Sequence, residues 1–304
     1  MSNLSVLIVG QGGFLGSSLK NYLVDLDYRV KGISRSTRLR GDKSVDITSS
    51  IPLDSLEGFS PEVVVNCAAQ LPANNPFDPA YVKKCFDVNA SGALNVAQFA
   101  QRVGAKLVVH CSTLSVVKKP WPVGMKEEHV ALPLDDGVAY GMSKLAGEAL
   151  LESFCQNIGI EFCTLRLAAL YGPGMPKAGV IYNFINQAAT AQSIKCFNAE
   201  KVFADFLFIE DAVKLIEQVI KKKARGLIQV ASGTETSLLD LAKVISACFS
   251  PTEVTIQNTS DAEFPTRRAS VSNERLMYFL GSPWQFTDLS KGILATIPSF
   301  DIVD

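Results

Sequence analysis

The sequence predicts an α/β chain: a doubly wound parallel sheet with helices on its faces and a smaller, mainly C-terminal region attached to it. Three observations predict this. Short β-branched runs alternate with stretches of helical spacing from the start to about residue 174, the order that builds βαβ units. The first run, Ser5–Val9, passes directly into GQGGFLG at residues 10–16 and then into Leu19, Leu23 and Leu26, which reads as strand, glycine turn and helix. At 304 residues the chain can bury about 75% of its unfolded surface, enough for a large core and a second, smaller one.

The other elements follow in order. Residues 28–33 read as the second strand and 45–47 as a short third. Residues 61–69 form a continuous apolar strand running into Ala68 and Ala69, small side chains that let a flat ligand approach. Val82, Phe86, Asn89, Ala93, Val96, Phe99 and Val103 keep helical spacing across 81–103, and 106–111 is another strand, followed by Ser112 and Thr113. Farther on, 180–191 reads as a helix, and Ser237 with Asp240 as a capping box opening a helix to about Phe249. The basic run at 221–225 fits a helix C-terminus meeting its dipole. In such sheets ligands bind beyond the carboxyl ends of the strands. The glycine turn, residues 66–69 and Ser112–Thr113 all fall there.

Composition excludes several functions. A net charge of −1 gives no general attraction for nucleic acid or anionic membrane, so an anionic ligand has to be held locally. The N-terminal residues lack a basic segment and a long apolar run, which predicts neither signal peptide nor membrane span and a cytoplasmic protein. The seven cysteines are odd in number and never spaced as Cys-x-x-Cys, so neither a disulfide framework nor a metal site is expected. Only two histidines occur, His110 in an apolar run and His129 in a polar loop; a Ser-His-Asp hydrolase is not expected from them.

The residues that carry chemistry are Tyr140 and Lys144, in the run YGMSK. Four residues apart, they share one helical face, and an ammonium beside a phenol favours the phenolate. Tyr140 is therefore a candidate general acid or base. Upstream, Gly10, Gly13 and Gly16 let the backbone turn, approach a pyrophosphate and pack the helix on the strand. Where a site for NAD expects an acid after the second strand, the chain has Ser34 and Arg35, with Arg38 and Arg40 nearby. A guanidinium suits the 2′-phosphate of NADP. NADP is the expected cofactor, with NAD as the alternative.

Taken together, GQGGFLG, Asn66-Cys-Ala-Ala69, Asn89 in VNASGALNV, Ser112-Thr113, YGMSK and the run from Leu165 to Gly174 resemble the extended short-chain dehydrogenase/reductases, in the NAD(P)-dependent epimerase/dehydratase group that modifies nucleotide sugars. The resemblance continues through 205–211 and 226–233 to Trp284. It implies a Rossmann sheet formed by residues 1–174 with 202–232 and a substrate-binding region formed by 175–201 with 233–304. It also implies that Tyr140 is the catalytic acid/base, that Lys144 tunes it and holds the nicotinamide ribose, and that Thr113 bonds the reacting sugar oxygen. The implied cofactor-binding residues are Gly10, Gly13, Phe14, Leu15, Gly16, Ser34, Arg35, Asp46, Ile47, Ala68, Ala69 and Asn89, with Tyr140 and Lys144. A homodimer is implied, built on the face of the Tyr140 helix that carries Met142, Leu145, Ala146 and Ala149.

The departures narrow the reading. After Thr113 stand Leu114-Ser115, where the 4,6-dehydratases of this group carry Asp-Glu, so dehydration lacks its acid and base. Ala169 and Ala204 replace an Asn and an Arg common in the group, and Lys201 and Arg267 are the candidate replacements as substrate contacts. The expected activity is NADP-dependent reduction of a nucleotide-linked 4-keto-6-deoxy sugar. Alternatives are a nucleotide-sugar 4-epimerase and a cofactor-binding scaffold without turnover.

Overall fold

The computed structural model describes residues 4–35, 44–134, 137–249 and 255–300; Arg38 and Arg40 lie outside them. In chain order the strands are β1 (Ser5–Val9), β2 (Arg29–Ile33), β3 (Val63–Asn66), β4 (Leu107–Thr113), β5 (Glu161–Leu167), β6 (Ala169–Tyr171), β7 (Ser193–Phe197), β8 (Phe203–Phe208), β9 (Gly226–Val230), β10 (Glu235–Ser237) and β11 (Thr255–Thr259). The helices are α1 (Phe14–Asp25), α2 (Pro79–Phe86), α3 (Gly92–Arg102), α4 (Val138–Ile158), α5 (Gly179–Ala191), α6 (Ile209–Lys222), α7 (Leu238–Ala247), α8 (Glu274–Leu280) and α9 (Leu289–Thr296).

The chain divides into two compact units. The first comprises 1–118, 129–167 and 213–228. It carries the predicted sheet, in the order β2-β1-β3-β4-β5-β9, with β1 to β5 paired in parallel. The chain moves outward from β1 to β2 and then returns to the other side of β1 as β3. That reversal opens the crevice in which such sheets bind ligands. Leu7, Val9, Val64 and Val108 from the strands pack with Val96, Phe99, Leu151 and Cys155 from α3 and α4 in one buried cluster, as alternate residues of a doubly covered sheet should.

Two local expectations change on folding. The short strand expected at 45–47 is a single parallel bridge between Ser44 and Ser34, because Asp46 turns the chain by accepting the Thr48 N–H at 2.9 Å, an Asx turn that competes with a ladder. The helix expected across 81–103 is α2 and α3 joined by a π-helical turn, Asp87–Ser91. Here Asn89 departs from regular α-helix.

The second unit comprises 119–128, 168–212 and 229–304. It takes residues 119–128, 168–174, 202–212 and 229–232, which the sequence places with the first. The reason is pairing: β6 lies parallel to β8 and β10 antiparallel to it, making a separate small sheet. Ser237 caps α7 as predicted, accepting the Asp240 N–H at 3.0 Å. Asp205 on β8 is buried, and its two carboxylate oxygens accept the Ser232 and Gly233 N–H groups, each at 2.8 Å. Burial outweighs these bonds and pushes the carboxyl up to about 6.

A carboxyl whose folded pKa lies above the unfolded value adds stability below about pH 4, which is lost as pH rises through about 6. The loss amounts to about 3 kcal/mol. Asp205→Asn, which does not titrate, should therefore gain on the parent in Tm as pH rises from about 4 to about 7. A Tm difference that is constant across that range contradicts the assignment.

Candidate active site

The turn after β1 is built by close backbone approach. Gly10 has φ +89°, and a Cβ there would lie 2.7 Å from the Ala68 nitrogen, beside the end of β3. A Cβ on Gly16 would lie 2.2 Å from the Gly10 oxygen, so the first turn of α1 sits directly on the glycine turn. Gly13 is the N-cap of α1; no side chain caps the helix and no acidic residue stands in its first turn. Its N–H groups and dipole suit a phosphate. Phe14 and Leu15 open the helix half-buried. The bare N-terminus and the cradle that a Cβ would fill fit a dinucleotide pyrophosphate.

At the outer edge of this region Ser34 bridges Ser44, and the Arg35 side chain is exposed. Asp46 is held below the usual carboxylate range first by the Thr48 N–H, against some desolvation, and then by Arg35 and Lys84. Ile47 is buried against Gly92, where a Cβ would meet it at 2.8 Å. Arg35, Asp46 and Ile47 are thus brought to one edge. Ala68 is half-buried and Ala69 exposed beyond β3.

The second cluster joins the end of β4 to α4. The β4 strand runs two residues farther than its apolar core, so that Thr113 caps the following turn by accepting the Ser115 N–H at 3.1 Å. The Thr113 hydroxyl also lies near enough to the Tyr140 phenol to act on its ionisation. Burial pushes the Tyr140 phenol up to about 12, against the lowering effect of Thr113 and with a small further rise from Cys85. Lys144, one helical turn on, is 1% exposed and donates to the Cys111 carbonyl at 2.7 Å. Thr113 is therefore beside Tyr140, with Lys144 one turn farther along α4. Ser112, the neighbouring hydroxyl, is turned away and donates to Glu148.

Asn89 ties these parts to one another. Its side chain accepts the Gln70 N–H at 2.8 Å and donates to the Gln70 carbonyl at 3.1 Å and to Ser143 Oγ at 2.9 Å. Ser143 Oγ donates to the Tyr140 carbonyl at 2.9 Å. A Cβ on Gly147 would stand 2.1 Å from the Asn89 oxygen, so α4 lies against the π-turn without a side chain between them. Such turns recur at functional sites. Ser143, Glu148 and Arg166 were missed as site residues; the helical spacing of Tyr140, Lys144 and Glu148 was the signal that could have found Glu148.

In the second unit Lys201 and Arg267 are brought together. Arg267 N–H donates to the Lys201 carbonyl at 2.7 Å. The Lys201 ammonium, however, donates to the Asp261 and Ala262 carbonyls at 2.8 and 2.9 Å, and the Arg267 guanidinium lies 5.1 Å from the centre of the Phe264 ring. No group of three or more metal-binding side chains occurs among the described residues, and none of their helices is long and apolar enough to cross a membrane.

Residues 6–231 match the model of the NAD dependent epimerase/dehydratase family. The chain belongs to that family. It is 26% identical to a UDP-glucose 4-epimerase of Mycolicibacterium smegmatis over an alignment of 321 residues covering 98% of each chain. It is 28% identical to a putative UDP-glucose 4-epimerase of Methanocaldococcus jannaschii over 255 residues, 79% of this chain and 81% of the relative. The fold matches that of the UDP-glucuronic acid 4-epimerase from Bacillus cereus in complex with UDP-glucuronic acid and NAD, with TM-score 0.83, 20% identity and coverage of 97% and 98%. The six-stranded sheet and the family membership together make this an NAD(P)-dependent enzyme of the extended short-chain class.

Substituting Gly16→Ala forces the helix off the Gly10 turn. It should destabilise the protein by about 1–3 kcal/mol and weaken dinucleotide binding at least about tenfold, measured by calorimetric titration. Unchanged binding would show that the turn does not hold the cofactor.

Proposed function

We propose that the chain interconverts nucleotide-linked hexoses at C4, drawing the substrate proton to Tyr140 and returning it, with no net consumption of cofactor. The observation that carries this reading is the Thr113 hydroxyl placed beside Tyr140, one helical turn from a buried Lys144, with a buried Leu114 where a dehydratase would need an acid. These residues handle one proton at one oxygen and nothing more. Thr113 orients the sugar oxygen, Tyr140 exchanges its proton, and Lys144 supplies the positive charge that a phenolate needs. Gly10, Gly13 and Gly16, with the α1 N-terminus, would hold the dinucleotide. A bound oxidised nicotinamide would supply the place for the C4 hydride to go and to return from. The named relatives, UDP-glucose 4-epimerases matched over most of their length, support the same chemistry and a UDP-linked substrate.

Arg35 favours a second reading. An exposed guanidinium at the ribose edge, in place of an acid, suits NADP and hence net reduction of a nucleotide-linked 4-keto-6-deoxy sugar. Asp46, already within reach of that guanidinium, is a competing anion. Its presence weighs against the second reading.

One assay separates the two. Incubated with UDP-glucose and with a nucleotide-linked 4-keto-6-deoxyhexose plus NADPH, the protein should invert the former at C4 without change in nicotinamide absorbance. Stoichiometric loss of absorbance with the keto sugar, and no inversion, would establish the reductase. Tyr140→Phe should bind dinucleotide as the parent does and lose at least about 100-fold in turnover; retained activity removes Tyr140 from the chemistry.

Arg35→Ala tests the cofactor. On the preferred reading it should change NADH and NADPH affinities alike; a selective loss of NADPH by about tenfold or more would favour the reductase.

A further inference from the structure

Lys144 is buried more deeply than its one direct partner accounts for. Its ammonium is 1% exposed and donates to a neutral carbonyl, Cys111, at 2.7 Å. A buried ammonium without a counter-ion tends to shed its proton. Burial does pull Lys144 below its ordinary range; Cys111, Glu148 and Cys67 push the other way. His110, from β4, is itself held neutral by burial and by Lys144. The two thiols act on Lys144 electrostatically only once they ionise. Among the described residues that act on it, the carboxyl group is that of Glu148, which is paired with Arg166.

Glu148 lies one helical turn beyond Lys144, as Lys144 lies one turn beyond Tyr140. It is 6% exposed and fixed from its far side. Arg166 on β5 donates Nε to both carboxylate oxygens at 3.2 Å and Nη2 to Oε2 at 2.8 Å. Ser112, the register partner of Arg166 across β4 and β5, donates its hydroxyl to Oε1. Three consecutive residues of β4 thus meet three turns of α4: the Cys111 carbonyl bonds Lys144, Ser112 bonds Glu148, and Thr113 stands beside Tyr140. A buried ion pair adds little net stability over apolar residues of the same size, so stability alone does not explain it.

We propose that Glu148 is the counter-ion that keeps Lys144 charged, and that Ser112 and Arg166 are positioning residues that hold the carboxylate at that helical register. The proposal rests on the role given above to Lys144. It assigns a specific job to this network: Glu148 opposes the desolvation that draws the proton off Lys144.

The test reads Lys144 directly. Protein labelled with 13C at lysine Cε is titrated by NMR, with the Lys144 signal assigned by its loss in Lys144→Met. In Glu148→Gln the Lys144 midpoint should move down by about one pH unit or more. The double variant Glu148→Gln with Arg166→Gln removes both buried charges, so it avoids an orphaned guanidinium and carries the test if the single variant does not fold. Its Lys144 midpoint should also stay below that of the parent. A parental midpoint in Glu148→Gln would overturn the proposal, as would a return to the parental value in the double variant, which would mean that Glu148 serves only to satisfy Arg166. Because the reading is ionisation and not turnover, a protein that acts on no nucleotide sugar would overturn the proposed function and leave this result standing.

Discussion

Placing a lysine ammonium under the end of a parallel sheet is the constraint on which the candidate site depends. Desolvating that charge is unfavourable, so the surrounding structure has to supply dipoles and an anion at fixed positions. The β4 strand does so with its last residues, offering a carbonyl to Lys144 and a hydroxyl to Tyr140. For α4 to reach them it must lie close to the chain on two sides. A Cβ on Gly141 would meet the Ser115 oxygen at 2.6 Å, and one on Gly147 the Asn89 oxygen at 2.1 Å. Glycine in a helix interior costs about 1 kcal/mol relative to alanine. Two of them within seven residues are tolerated here because close approach is worth more than propensity.

The dinucleotide cradle obeys the same rule from the other side of the sheet's switch point. Gly10 and Gly16 remove side chains so that the β1 turn, the start of α1 and the residues after β3 touch through backbone. Asn89 links this region to α4. Its amide bonds the segment after β3 and, through Ser143, the turn that carries Tyr140. One fully satisfied buried amide therefore holds the Tyr140 turn in step with the segment that follows β3, and it does so from a π-turn that regular helical spacing would not have allowed.

Much of this was legible in the sequence, for identifiable reasons. The order of strands and helices follows from apolar periodicity, and the glycine turn and YGMSK are read from short spacings, so Gly10, Gly16, Tyr140 and Lys144 needed no tertiary information. The Ser44 bridge did not follow, because whether residues 45–47 extend a ladder depends on competition from the Asp46 turn. The division between units did not follow either: β6 pairs with β8, farther along the chain, and pairing is not written in either segment alone. Glu148 and Arg166 escaped for a related reason. Each looks like an ordinary surface charge until the fold buries the two together.

The departures from the family acquire a physical sense in the fold. Leu114 is buried in the turn that Thr113 caps, and the N–H of exposed Ser115 is already committed to Thr113. An acid at 114 would have to displace apolar contact, whereas the cap uses only the backbone N–H of residue 115 and does not depend on its side chain. Around Ala204 the picture is similar. Its neighbour Phe203 has the Arg268 guanidinium stacked at 5.2 Å, and Arg268 is paired with Glu235. Lys119 donates to the Phe203 carbonyl at 3.0 Å. The positive charge that an arginine would bring at 204 is thus present on neighbouring segments, but held by protein partners. An anion drawing on that charge would have to compete with those partners.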